Sequence, residues 1–209
     1  MSRIREGLIP TADSLTAICR AENCSLSWLL AGKGPPYLVG RCDSDEECAE
    51  RLDELLEENG WSVYLLTDGE RHALALLQPG QFDVKGRPVD YTVLELLVGP
   101  FGRGAAMRLG DCITSGIPVS RAQLPAEHVA RIYRGEVGTY ELLQRDGGLI
   151  RFAAPVTNHR SALLTVQAVA ETPANYAAGD EQKLLEAYRE LDKPMRRAAL
   201  AAVQAMGKE

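Results

Sequence analysis

Leu15, Ile18 and Cys19 fall at i, i+3 and i+4, one stripe of a helix. Thr11 stands where a side-chain oxygen can cap that helix, and Asp13 lies at the positive end of its dipole. Asn23 suits the left-handed residue that closes it. Ser25 predicts the cap of a second, shorter helix that buries Leu26, Leu29 and Leu30, and Gly32, Gly34, Pro35 and Pro36 stop it. Residues 37–43 read as a linker or a first extended piece. Ser44 and Glu47 form a capping box, and Cys48, Leu52, Leu55 and Leu56 make one apolar face, so a helix is predicted over 45–59.

The period then changes. Residues 62–67 and 71–78 read as strands flanking Asp68-Gly69, a two-residue hairpin signal. Pro79-Gly80 is expected to break the chain, and Lys85-Gly86-Arg87-Pro88 to turn it into a third strand over 89–98. From Gly99 to Ser120 the pattern is weak, and Ala105–Leu109 and Ile117–Val119 are expected as edge strands or loop. Pro125 opens a helix with Val129, Ile132 and Tyr133 on one face and Gly135 at its end. Residues 139–144 and 149–154 read as a hairpin across Asp146-Gly147-Gly148, and 161–170 as a further strand. From Asp180 the apolar residues return to helical spacing, interrupted at Asp192-Lys193-Pro194. The sum is an α+β chain, with five to seven mostly antiparallel strands, two or three helices in the body and a helical tail.

Composition narrows the classes. The chain has 209 residues, and its 45% hydrophobic and 25% charged content are ordinary for a globular protein. No apolar run is long enough for a membrane span, and no apolar core follows Arg3 and Arg5 as in a secretory signal. The five cysteines (19, 24, 42, 48 and 112) form no Cys-x-x-Cys pair, which predicts reduced thiols and a cytoplasmic location. Net charge is −6. Residues 1–41 carry Arg3, Arg5, Arg20, Lys33 and Arg41 against Glu6, Asp13 and Glu22, a net +2, which leaves −8 on the rest. An acidic body behind a weakly basic head suits nucleic-acid contact confined to the head.

The opening segment also carries a resemblance. Ile4-Arg5-Glu6-Gly7, then two short helices, then Trp28-Leu29-Leu30-Ala31-Gly32-Lys33-Gly34-Pro35 resembles the Cro/phage-repressor (XRE) class of helix-turn-helix regulators. The resemblance covers about a sixth of the chain. It implies a DNA-binding transcriptional regulator whose recognition helix is represented only by its end. Ser2 and Arg3 would then lie near DNA, Arg3 or Arg5 on phosphate, and Ile4 in the core. The two helices that precede this one in the family are absent, so the chain as written is expected to bind operator DNA poorly. The implied layout is a partial helix-turn-helix domain over 1–36, a linker over 37–44, an α+β dimerisation or effector body over 45–175, and a helical tail over 176–209. A homodimer would match a palindromic operator. The alternative is an antirepressor-like or decoy subunit that pairs with a complete regulator and no longer binds DNA.

Catalytic readings fare worse, and neither enzyme activity nor a cofactor is expected. A self-cleaving Ser-Lys protease would need a Gly-x-Ser-Met-like turn with a lysine downstream, and Gly110 to Ser115 supplies neither pattern. Gly99-Pro100-Phe101-Gly102-Arg103-Gly104 follows a strand but lacks the Gly-Lys-Ser/Thr end of a phosphate loop. His72, His128 and His159 are scattered, without carboxylates at ligand spacing, and are expected at the surface or an interface. Cys112 is expected in a polar loop, with no cation nearby to make it a sensor, and Cys19 and Cys24 in a core.

Overall fold

The computed structural model describes residues 10–84, 86–144 and 147–157. Its first elements follow the caps. Helix α1, Ala12–Glu22, starts behind Thr11, whose Oγ1 accepts from the Ser14 amide, and ends at Asn23, left-handed at φ 52°. Helix α2, Leu26–Ala31, is capped by Ser25 and closes on Gly32 at φ 63°. After strand β1, Gly40–Arg41, comes helix α3, Asp45–Leu56, whose Glu47 amide bonds to the Ser44 side chain. The Glu47 carboxylate reaches one residue further back than a capping box requires and accepts from the Asp43 amide at 2.7 Å.

Strands β2 (Ser62–Thr67), β3 (His72–Val84) and β4 (Arg87–Val98) form an antiparallel meander. Helix α4, Arg103–Thr114, then crosses to β5, Val119–Gln123. Helices α5 (Ala126–Tyr133) and α6 (Thr139–Leu143) lead to the short β6, Ala154–Pro155. The sheet order is β1-β4-β3-β2-β5-β6, with β1–β4 and β2–β5 parallel and the other pairs antiparallel. The class is therefore α+β, with a mixed six-stranded sheet.

Both faces of the sheet are covered around Ala73–Leu77 of β3, and that stretch is apolar without interruption. On one face Val63, Leu65, Leu74, Leu76 and Leu97 pack against Cys48 and Leu52 of α3 and Ala105, Ala106 and Leu109 of α4. On the other, Leu66, Ala73, Ala75, Leu94 and Leu96 meet Val129 and Ile132 of α5 and Leu142 of α6. The alternation of Leu and Ala along β3 thus presents bulk to α3 and α4 and a flat surface to α5. Helix α1 lies beside β4, next to the part of that strand that β1 does not pair.

Four expectations are corrected. Asp68-Gly69 is part of a four-residue turn, because Thr67 pairs with His72 and Asp68 Oδ1 accepts from the Glu70 and Arg71 amides. Pro79-Gly80 does not break β3. Pro79 lies beyond Leu77, the last residue paired with β2, so its missing N–H interrupts no ladder on that side. A Cβ at Gly80 would strike the Tyr91 ring at 2.7 Å, so the glycine leaves room for its cross-strand partner. The weak 99–120 stretch contains α4, whose buried face is built largely of small residues, Ala105, Ala106 and Gly110. Finally, Thr139–Leu143 is helical, where an arm of a hairpin is expected over 139–144. Thr139 and Leu142 point inward at i, i+3, and Glu141 pairs with Arg131 of α5 at 2.5 Å. The strand expected over 161–170 and the tail over 176–209 lie outside the described residues.

Candidate functional site

Ser2, Arg3 and Arg5, the residues expected at DNA, lie outside the described residues. What is described is the pair of helices behind them. The pair is tied to the linker by backbone bonds: Ser25 N donates to Pro36 O at 2.8 Å and Leu38 N to Asn23 O at 3.0 Å. Asn23 Nδ2 returns a bond to Leu38 O at 2.9 Å. Asn23 therefore does two jobs, ending α1 in the left-handed region and fastening the junction. The Cys24 thiol, buried and pushed up to about 11 by desolvation, donates to Cys19 Sγ at 3.7 Å.

The expected burial of Leu26 and Leu30 does not occur. They are 49% and 56% exposed, and Trp28 is 42% exposed; α1 has no fully buried residue. A six-residue helix with apolar residues this open has found only part of its packing partners among the described residues. Arg20 and Lys33 are exposed near the same two helices.

The other candidates resolve into structural roles, with one exception. The Gly99–Gly104 loop does surround an anion, but the anion is the protein's own Asp45. Its Oδ1 accepts from the Gly102 and Ala105 amides at 2.7 and 2.9 Å, and its Oδ2 from Gly104 at 2.6 Å. A Cβ at Gly102 or Gly104 would approach that carboxylate to 2.9 Å. Ser115 is the exposed C-cap of α4. Cys112 is not in a polar loop but in the core, with its thiol raised to about 11 by burial. His128 is half-buried on α5, and His159 lies outside the described residues. No group of three or more His, Cys, Asp or Glu able to hold a metal occurs among the described residues. None of the described helices is long and apolar enough to cross a membrane.

The exception is His72, expected at the surface and found 3% exposed at the start of β3. Burial holds its imidazole below the ordinary histidine range; Asp68 opposes that shift and Arg121 adds to it. Neither ring nitrogen has a hydrogen-bond partner among the described residues. Its ring meets Phe101 edge-on, with centroids 6.2 Å apart. The Tyr133 hydroxyl donates to His72 O at 2.8 Å and lies 3.2 Å from Gly99 O. No sequence signal marks this histidine, because its neighbours come from β3, the loop before α4 and the end of α5.

No family model, curated protein or solved structure matches this chain.

Proposed function

We propose that the chain is a subunit of a DNA-binding transcriptional regulator of the phage-repressor type, cytoplasmic and homodimeric, with α1 and α2 closing its reading head. The observation that carries this is the pair of helices itself. Both are short, both start at a side-chain cap and end in a left-handed residue, and Leu26, Trp28 and Leu30 are left facing outward. Such a face suits two members of a larger helical bundle. In this reading Ser2 and Arg3 stand near the operator and Arg3 or Arg5 neutralises phosphate, while the acidic body keeps DNA contact confined to the head.

Chromatin immunoprecipitation from the source cell, with an antibody raised against the sheet body, tests the reading on the protein as it exists. Reproducible enrichment of a few promoter-proximal palindromes is the expected result. Recovery no different from bulk genomic DNA would remove it. The exposed apolar face also favours a second reading, a subunit that pairs with a complete regulator without touching DNA. Overproduction of this chain would then strip the partner from its operators instead of increasing occupancy.

A further inference from the structure

At one edge of the sheet the strands β1, β2, β4 and β5 all end, since they run in the same direction. The chain leaves β1 and β4 for α3 and α4 on one face, and leaves β5 for α5 on the other. Helices that diverge from a carboxyl edge leave a crevice between them, the usual place for a ligand in an open sheet with helices on both faces. A cavity of about 510 Å³ opens at this place. Its size is that of a site for a small metabolite.

The lining sets the chemistry. Rings dominate it: Pro100 at the rim, then Phe101, Tyr133 and the His72 imidazole deeper in. The walls therefore favour a flat ring over a flexible polar chain. The cation is Arg71, whose side chain is 40% exposed. Its Nε and Nη2 are engaged by Asp68 and Nη2 also by Ala126 O, while Nη1 makes no hydrogen bond among the described residues. Asp68 is turned into its own loop, where two backbone amides and the arginine occupy its oxygens. Glu70, the other acid at the mouth, is exposed and so screened by solvent. A second guanidinium stands behind the site, with Arg41 Nη2 donating to Tyr133 O. At the inner end the His72 imidazole lies edge-on to Phe101, with both ring nitrogens enclosed.

We propose that this crevice binds a small aromatic or heteroaromatic carboxylate, with its ring among Pro100, Phe101 and Tyr133, its acid group on Arg71 and His72 at its inner end. The site stands whether or not the chain reads DNA. The test uses the full 209-residue chain with histidine-selective ¹⁵N labelling and three probes of one shape and different charge: benzoate, benzamide and benzamidine. Benzoate is expected to shift the His72 ring resonances saturably in the millimolar range suited to so small a ligand, leaving His128 unmoved. Benzamide should bind roughly tenfold more weakly, the usual worth of a charge-assisted bond. Benzamidine should not bind. Arg71→Gln should weaken benzoate to the level of benzamide. His72→Phe should assign the resonance and remove the response; if that variant does not fold, the probe series and Arg71→Gln decide alone. The proposal fails if no probe shifts His72 saturably, if benzamidine matches benzoate, or if Arg71→Gln leaves the preference for benzoate intact.

Discussion

Two side chains make stability depend on pH in opposite directions. His72 is held neutral by burial, so an unfolded chain takes up a proton below about pH 6.5 that the folded chain refuses. The unfolded state then binds more protons, and stability falls as pH drops through that range. His72→Phe is expected to flatten the Tm-against-pH curve between pH 7 and pH 5.5; an unchanged slope would mean that the imidazole is solvated. Glu95 is the reverse case. It lies half-buried on β4 with no ion pair or hydrogen bond among the described residues, and burial raises its pKa. It shares a cleft with Glu54, Glu57 and Glu58, opposed by Arg20 alone among the cleft's charged residues. Above the ordinary glutamate range the unfolded chain ionises first, so the contribution of Glu95 to stability is lost as pH rises. Glu95→Gln should raise Tm at pH 7 by about 2–4 °C, the shift that ~1 kcal/mol produces in a domain of this size, and leave it unchanged at pH 4. Thermal scans at the two pH values check both the sign and the window.

Among elements, α4 depends most on a residue far from it in sequence. It has no side-chain cap of its own, and Gly102, Gly104 and Ala105 give their amides to Asp45, which is the first residue of α3. One carboxylate thus joins the starts of two helices on the same face of the sheet. Asp45→Ala leaves three amides without their acceptor and is expected to cost about 2–4 kcal/mol, read as a drop of several degrees in Tm. Asp45→Asn should recover part of that loss, since one amide oxygen remains. This bond also explains what could be read along the chain. As helix ends, Thr11, Ser25, Ser44, Asn23 and Gly32 act within four residues of themselves, and their helices stand where local chemistry puts them. Helix α4 was illegible because its cap is 57 residues away and its buried face is too small-featured to show a stripe. Residues 139–144 read as a strand because so short a run cannot separate a period of 2 from a period of 3.6. The crevice was hidden for the same reason as α4: His72, Phe101 and Tyr133 meet only through the sheet topology.

In the molecule as a whole, the helical pair meets the sheet body twice, where α1 lies against β4 and α6 and where the linker is seated at Tyr37. Its amide donates to Gly135 O at 3.0 Å, and its neighbours Pro36 and Leu38 hold the α1–α2 junction. Its ring lies against Gly138, where an added Cβ would overlap the ring carbons. Gly135, left-handed at φ 70°, approaches the Tyr37 carbonyl so closely that a Cβ there would come within 2.7 Å of it. The absence of two side chains in the α5–α6 loop is thus what lets the linker lie flat. Gly138→Ala forces the Tyr37 ring off its seat while touching neither the Leu74–Leu76 stretch of β3 nor the packing of α3 and α4. If the pair opens as a local unit, the amides of Ser25, Tyr37 and Leu38 should exchange with solvent faster in the variant, by about tenfold for each 1.4 kcal/mol lost. The amides of Leu74 and Leu76 should keep their wild-type rates. Hydrogen exchange read residue by residue distinguishes this from the opposite outcome, in which all five amides accelerate together. That result would make the helical pair part of the same cooperative unit as the sheet, held by more than the linker, and the Tyr37 seat would then not be the joint between them.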